Sequence, residues 1–167
     1  MSDIPIHSIS AVDAATDAAL LALNNAHIRE TSHLSPEAWR ELIGQSFAAT
    51  CVDGDGALLI VLDHDADYDN ANFDWFRARY QRFAYVDRII VAERLRGQGA
   101  AEALYLNLFD QAEAAGLERV VCEINLDPPN PASDAFHARL EFDIVGEARL
   151  EDRGKTVRYF VRELAPH

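Results

Sequence analysis

The sequence predicts an α/β domain that ends in an antiparallel strand pair, and three observations carry that prediction. From Phe83 onward, strand-like and helix-like stretches alternate as strand, helix, strand, helix, strand, strand. Upstream, "ALLIVL" (57–62) is a continuous apolar run ending in an acidic loop, the pattern of a strand covered on both faces. The 167 residues are 49% hydrophobic and 26% charged, with few glycines and prolines, which fits one globular domain over 1–167 with a sizeable core.

In chain order, Val12, Ala15, Ala19, Leu20 and Leu23 recur at helical spacing and predict a helix over about 11–27. In "SPEAWRELIGQSF", Ser35 suits an N-cap, Pro36 the first helical position and Glu37 the first turn, so a second, short helix starts there. The passage 63–83, acidic and then aromatic and arginine-rich, has no clean period; connections of that length are often functional. "FAYVDRIIV" (83–91) reads as a strand, and "RGQGAAEALYLNLFDQAEAAG" (96–116) as a helix entered through glycines and stopped by Gly116. "ERVVCEI" (118–124) is a strand, "NPASDAFHARL" (130–140) a short helix, and "FDIVGEARL" (142–150) and "KTVRYFVREL" (155–164) are the final strands. Pro128 and Pro129 offer no N–H to a ladder, so the strand before them must stop, and Asn130 then caps a helix with Pro131 in its first turn.

The formal charge of -13 argues against generic attraction to nucleic acid or to an anionic membrane surface, since both are polyanions. Any anion must find a local positive site. Cys51 and Cys122 stand far apart without a CxxC, so neither a disulfide framework nor a zinc site is expected, and free thiols suit a reducing cytosol. No basic, apolar leader opens the sequence and no apolar run approaches ~18 residues, which predicts a soluble cytoplasmic protein.

Between Val91 and the helix that begins near Gly99 lies "AERLRGQGAAEAL". A strand feeding a helix through closely spaced glycines lets backbone N–H groups converge where the helix dipole also favours negative charge, so a bound phosphate is expected. Arg94 and Arg96 add positive charge, and Ala100, Ala101 and Ala103 keep side chains short. A dinucleotide fingerprint would need glycine where Glu102 stands, and a Walker loop would need Gly-Lys-Ser/Thr. The same turn would also serve as a tight connection with nothing bound.

"RGQGAA" (96–101) resembles the Arg/Gln-x-x-Gly-x-Gly/Ala pyrophosphate loop of the GNAT superfamily of acyl-CoA-dependent N-acetyltransferases, and it likewise follows an apolar strand ending in valine. A second signature of that family is similar to Asn130, Ser133, His137, Glu141 and Phe142, where the family commonly has Asn, Ala or Ser, Tyr, Gly and Phe. The resemblance covers about Tyr85 to Phe142. It implies a mixed central sheet splayed between its two central parallel strands, with helices on both faces. It also implies acetyl transfer from acetyl-CoA, without a metal, to a primary amine of a small or amino-acid-like acceptor. Under it, Arg96, Gly97, Gln98, Gly99, Ala100 and Ala101 hold the pyrophosphate. Ile90, Val91, Asn130, Ser133 and His137 meet the rest of the cofactor, the Val91 N–H pointing at the thioester oxygen.

Acyl transfer to an amine needs a base for the amine and an acid for the departing thiolate. His137, in the place of the family's tyrosine, is the expected acid or hydrogen-bond donor, the alternative being a packed histidine with its nitrogens satisfied. Asp87 is the expected base, because a carboxylate within an apolar strand is costly unless paired or working; the alternative is an ion pair with an arginine. By strand period, Tyr85 and Ile89 share its face while Arg88 points away. His27, His33, Tyr68, Trp75, Tyr80, Tyr85 and Tyr159 come from segments that line the acceptor side in the family. Glu141, in place of glycine, is expected to bear strain if the family's left-handed helix end persists. A non-catalytic acyl-CoA-binding module and an interaction protein that keeps only the fold are the alternative functions. Whether two copies pair through the final strands as a homodimer is left open. "DHDADYDN" lacks the Gly and Glu of a calcium loop, and the six histidines show no metal-ligand spacing.

Overall fold

A computed structural model describes residues 4–27, 33–126, 129–151 and 154–165; Pro128 lies outside them. Seven strands form one sheet in the order β1 (Ile6–Ser8), β2 (Ala48–Val52), β3 (Ala57–Asp63), β4 (Phe83–Val91), β5 (Arg119–Asn125), β7 (Lys155–Glu163), β6 (Asp143–Leu150). Every neighbouring pair is antiparallel except β4 and β5. Those two run parallel but pair only over Phe83–Tyr85 with Arg119–Val121, after which they diverge. β5 keeps its whole length on β7 and β4 stays on β3, so the sheet forks between them.

Helices cover both faces, as expected. On one face, Leu20 of α1 (Ala14–Asn25), Trp39 and Leu42 of α2 (Pro36–Gln45), and Phe73 and Phe76 of α3 (Ala71–Arg77) are buried with Leu58, Ile60, Tyr85 and Val121 of the sheet. On the other, Leu104, Tyr105, Leu108 and Phe109 of α4 (Ala100–Ala114), with Phe136 of α5 (Pro131–Arg139), pack on Leu59, Ala84, Val86 and Val120. The strand "ALLIVL" is thus covered on both sides. No helix among the described residues is long and apolar enough to cross a membrane.

Local chemistry places the ends. Asp13 and Ser35 accept from Thr16 N–H and Ala38 N–H, starting α1 and α2. Asn130 accepts from Ser133 N–H at 3.1 Å with Pro131 in the first turn, so the proline-rich entry to α5 is a capped helix start. The sequence reading passed over three elements. β1 is a three-residue edge strand, β2 is the five-residue strand between it and β3, and α3 lies in the passage without a clean period. There Asn70 takes the N–H groups of Asn72 and Phe73, while Phe73 and Phe76 turn inward one helical turn apart.

Candidate active site

The glycine turn is built as a donor array. Gly97 (φ 76°) and Gly99 (φ 85°) adopt the left-handed conformation, which turns successive N–H groups toward one side, and Gly99 opens α4 without any side-chain cap. Among the described residues, the N–H groups of Gly97, Gly99, Ala100, Ala101 and Glu102 donate to no protein acceptor. A cleft of about 450 Å³ opens there, walled by Val91 and the loop on one side and by Phe136 and Arg139 of α5 on the other.

The charge at this cleft differs from the expectation. Arg94 is turned away and held by Asp55 at 2.7 Å and Asp53 at 3.8 Å, because the β2–β3 turn brings two carboxylates beside it. Arg96 lines the cleft without an ion pair among the described residues. Its counterpart is Arg139, which sequence reasoning missed because it enters from α5, far along the chain. The edge of β4 beside the cleft is also open. Ala92 N–H donates to Gly56 on the β3 side at 2.8 Å, so by alternation the N–H groups of Val91 and Ile89 face the fork.

On the opposite face of the sheet, a bulge in β4 rearranges what strand period predicts. Ile60 pairs with Arg88 and Val61 with Val86, leaving Asp87 as the extra residue. Two expectations are corrected by it. Ile89 packs on the α4 side rather than beside Asp87, and Arg88 turns to the same face as Asp87 and is its partner, Nε donating to Oδ2 at 2.7 Å. Both side chains are almost fully buried, at 3% and 4% exposure. The other Asp87 oxygen accepts from Tyr68 O–H at 2.5 Å, and Arg88 also donates to Asn24 of α1. Burial, and then the charge of Asp87, push the Tyr68 hydroxyl far above its ordinary range, so it stays a donor.

At the mouth of the fork, Tyr85 of β4 donates to Glu123 of β5 at 2.5 Å. Tyr85 is buried and Glu123 half-buried. Burial, followed by the neighbouring charges of Glu123 and Asp87, raises the Tyr85 pKa well above its usual value. Glu123 was overlooked in the sequence, although a carboxylate inside "RVVCEIN" carries the signal that singled out Asp87 in β4. Tyr159 pairs in register with Glu123, donates to Asn72 at 2.8 Å and stacks on Trp75 with ring centroids 4.0 Å apart. Trp75 lies over Gly146, where a Cβ would come within 2.7 Å of its ring. His27 caps the end of α1 through Nδ1 and Leu23 O; His33 is exposed, and Tyr80 is half-buried beneath Arg119.

Residues 33–142, more than half of the chain, match the model of the Acetyltransferase (GNAT) family. The chain belongs to the GNAT acetyltransferase family. It is therefore an acetyl-CoA-dependent acyltransferase by class. Among solved structures it is similar to the ribosomal-protein-S18-alanine N-acetyltransferase from Escherichia coli, with 16% identity and a TM-score of 0.69 over 98% of this chain and 95% of that one. It is similar also to a chain of the NatC complex bound to Gag peptide and CoA, at 14% and 0.74 over 98% and 100%. A third is yncA from Salmonella typhimurium, with its cofactor acetyl-CoA, at 18% and 0.69 over 99% and 96%. At these identities the likeness is one of fold. No curated protein matches the chain.

In the second GNAT signature, His137 is buried and both its nitrogens are occupied. Nδ1 lies 2.8 Å from Ser133 O, an acceptor only, so Nδ1 carries the proton and Nε2 accepts from Tyr105 O–H at 3.1 Å. Phe136, Phe142 and Phe160 surround the ring, and burial lowers its pKa against the smaller opposing effects of Ser133 and Asp134. Thus packed, the imidazole is neutral and its proton is committed inward. Glu141 keeps the left-handed helix end, at φ 67°, with Phe142 N–H returning to His137 O at 3.0 Å. The strain of a side chain in that region, about 1 kcal/mol, is accepted there, and Glu141 lies 3.7 Å from Arg162.

Proposed function

We propose that this GNAT enzyme transfers an acetyl group from acetyl-CoA to the primary amine of a small or amino-acid-like acceptor. One observation carries the reading: five unmatched backbone N–H donors at the start of α4 adjoin a sheet forked between β4 and β5. Donors without acceptors, with Arg96 beside them, suit a pyrophosphate, and the fork suits an extended arm. In this reading Arg96, Gly97, Gln98, Gly99, Ala100 and Ala101 hold the phosphates. Ile90, Val91, Asn130 and Ser133 flank the arm. Acetyl-CoA, the co-substrate, brings the activated acyl group as a thioester. The Val91 N–H meets the carbonyl oxygen, where a fixed dipole stabilises the charge that develops on attack.

An amine of ordinary pKa, about 10.4, must lose a proton before it attacks. We assign that proton to Glu123, in place of Asp87. The Asp87 side chain is 3% exposed and set between Arg88 and Tyr68, whereas Glu123 stands half-buried at the fork, beside a tyrosine that stays protonated. Asp87 then acts as a fixed charge that sets the bulge. Tyr85, Trp75 and Tyr159 form the acceptor wall, and His27 closes the α1 end. The departing thiolate, of pKa about 8.5 if it resembles cysteine, takes its proton from water. His137 acts through position: bridging Ser133 and Tyr105, it sets the spacing of α5 from α4, the two walls of the cleft.

Thiol release from acetyl-CoA with a panel of small amines, amino acids and short peptides tests the reading. A small amine or amino acid that releases thiol in proportion to acetylated product supports it. Release by peptides alone would favour the second reading, a peptide amino terminus, to which the Escherichia coli and NatC likenesses point. Thermal stabilisation by acetyl-CoA without release by any acceptor would leave a cofactor-binding module and overturn the enzyme reading.

A further inference from the structure

The cofactor cleft holds one feature that the pyrophosphate reading does not use. Arg139, in the last turn of α5, lines the cleft from the wall opposite the glycine loop. Its guanidinium is exposed, forms no ion pair among the described residues, and rests over the Phe136 ring at 5.6 Å. In a chain with 28 acidic side chains against 15 basic ones, a cation left without a carboxylate on a concave wall is available to a ligand anion. Arg94 shows the contrast, being taken up by Asp53 and Asp55. The loop already offers five N–H donors and Arg96 to a pyrophosphate, which is a diester carrying two charges. Coenzyme A carries a further phosphate, a monoester on its ribose, which the loop on the other wall does not serve.

We propose that Arg139 is a specificity-determining residue that recognises the ribose 3′-phosphate of coenzyme A, pairing a planar guanidinium with a phosphomonoester dianion. The inference rests on the acetyl-CoA reading of this cleft and deepens it. Phe136, over whose ring the guanidinium carbon lies, gives that cation an aromatic neighbour on the same wall of the cleft. Arg139 is thereby the residue that separates coenzyme A from 3′-dephospho-coenzyme A. The loop, reading only the shared pyrophosphate, treats the two alike.

Calorimetric titration of the full chain with coenzyme A and with 3′-dephospho-coenzyme A, using wild type and Arg139→Met, tests this. Wild type is expected to prefer coenzyme A by about tenfold or more, the worth of a charge-assisted phosphate contact. Arg139→Met should lose that preference through weaker coenzyme A binding, with dephospho-coenzyme A affinity and melting temperature unchanged. Arg139→Lys, which keeps the charge but not the fork, should fall between. Equal weakening toward both ligands would place Arg139 on the pyrophosphate and overturn the proposal, as would no change toward either. A wild type that binds both ligands equally overturns this inference alone. A wild type that binds neither overturns the cofactor reading with it.

Discussion

The two faces of the forked sheet are made differently. The α4–α5 face, which carries the proposed cofactor cleft, is built from main chain: glycines at positive φ, an uncapped helix start and an open strand edge. The α1–α3 face, assigned to the acceptor, is built from side chains that meet across long stretches of sequence. Tyr68 meets Asp87, Arg88 meets Asn24, Tyr85 meets Glu123, and Tyr159 meets Asn72. A main-chain site tolerates drift in its surroundings as long as φ is kept. A side-chain site depends on register, and here one bulged residue decides it. Substitutions on one face should therefore leave the function of the other largely intact.

The sharpest way to break this division is at the fork. Glu123→Gln keeps the shape and the contact with Tyr85 but removes the basic oxygen, so kcat is expected to fall by about 10²–10⁴ while the affinity for acetyl-CoA stays near wild type. Steady-state thiol release with calorimetric binding measures both. A fall in affinity matching the fall in rate would show that the two faces are not separate. Asp87→Asn comes next. It leaves a buried guanidinium facing a neutral amide, and a loss of about 3 kcal/mol in denaturant unfolding is expected, again with coenzyme A affinity preserved. A stability change under about 0.5 kcal/mol would show that Asp87 does not hold the bulge.

The same division explains what was legible in the sequence. Gly97, Gly99, Pro131 and Asn130 announce local backbone geometry, and local geometry is what short stretches encode; the loop, the α5 cap and the order of the main elements could be read directly. The pairing of Asp87 with Arg88 could not. Strand period places adjacent residues on opposite faces, and only the register of β3 against β4 reveals that Asp87 is supernumerary. Arg139 was hidden because it reaches the cleft from α5, far along the chain from the glycine loop. Glu123 carried the same signal as Asp87, a carboxylate within an apolar strand, but its place at the fork follows only from the pairing of β5 with β7 and β4. The helix α3 was readable, since Asn70 followed by Phe73 and Phe76 is a capped amphipathic turn, but the arginines and aspartates around it obscured the period. The role expected of His137 came from the residue it replaces, whereas its contact with Tyr105, 32 residues away, could not be read from the sequence.

On the cofactor face a smaller change should register. Gly99→Ala meets only the end of Ile4 at 3.8 Å, so space is not at issue; the cost is the left-handed φ, about 1 kcal/mol. Because that φ aims the N–H array, coenzyme A affinity is expected to weaken about tenfold while the pH profile of the reaction is unchanged. Unaltered affinity would remove the loop from the cofactor site.

The smallest effect expected is the one that settles whether His137 belongs to the chemistry or to the wall. Folding buries the imidazole and lowers its pKa below the ordinary 6.5, so the folded chain binds fewer protons there than the unfolded chain as the solution turns acidic. The stabilising effect of keeping His137 neutral is complete above about pH 6.5 and is lost as pH falls through that value toward the depressed one. His137→Phe has no such proton to exclude. Its melting temperature should therefore decline less than wild type between pH 7 and pH 5, by about 2–4 °C for each kcal/mol involved. Parallel decline of the two proteins would mean that the imidazole does not titrate in a buried setting. The kinetic profile separates the roles further. A wall residue changes KM for acetyl-CoA and leaves both limbs of the kcat profile in place, whereas an acid removes one limb and lowers kcat by about 10²-fold or more. That second outcome would return His137 to the reacting sulfur and require its ring to leave Ser133 and Tyr105 during turnover.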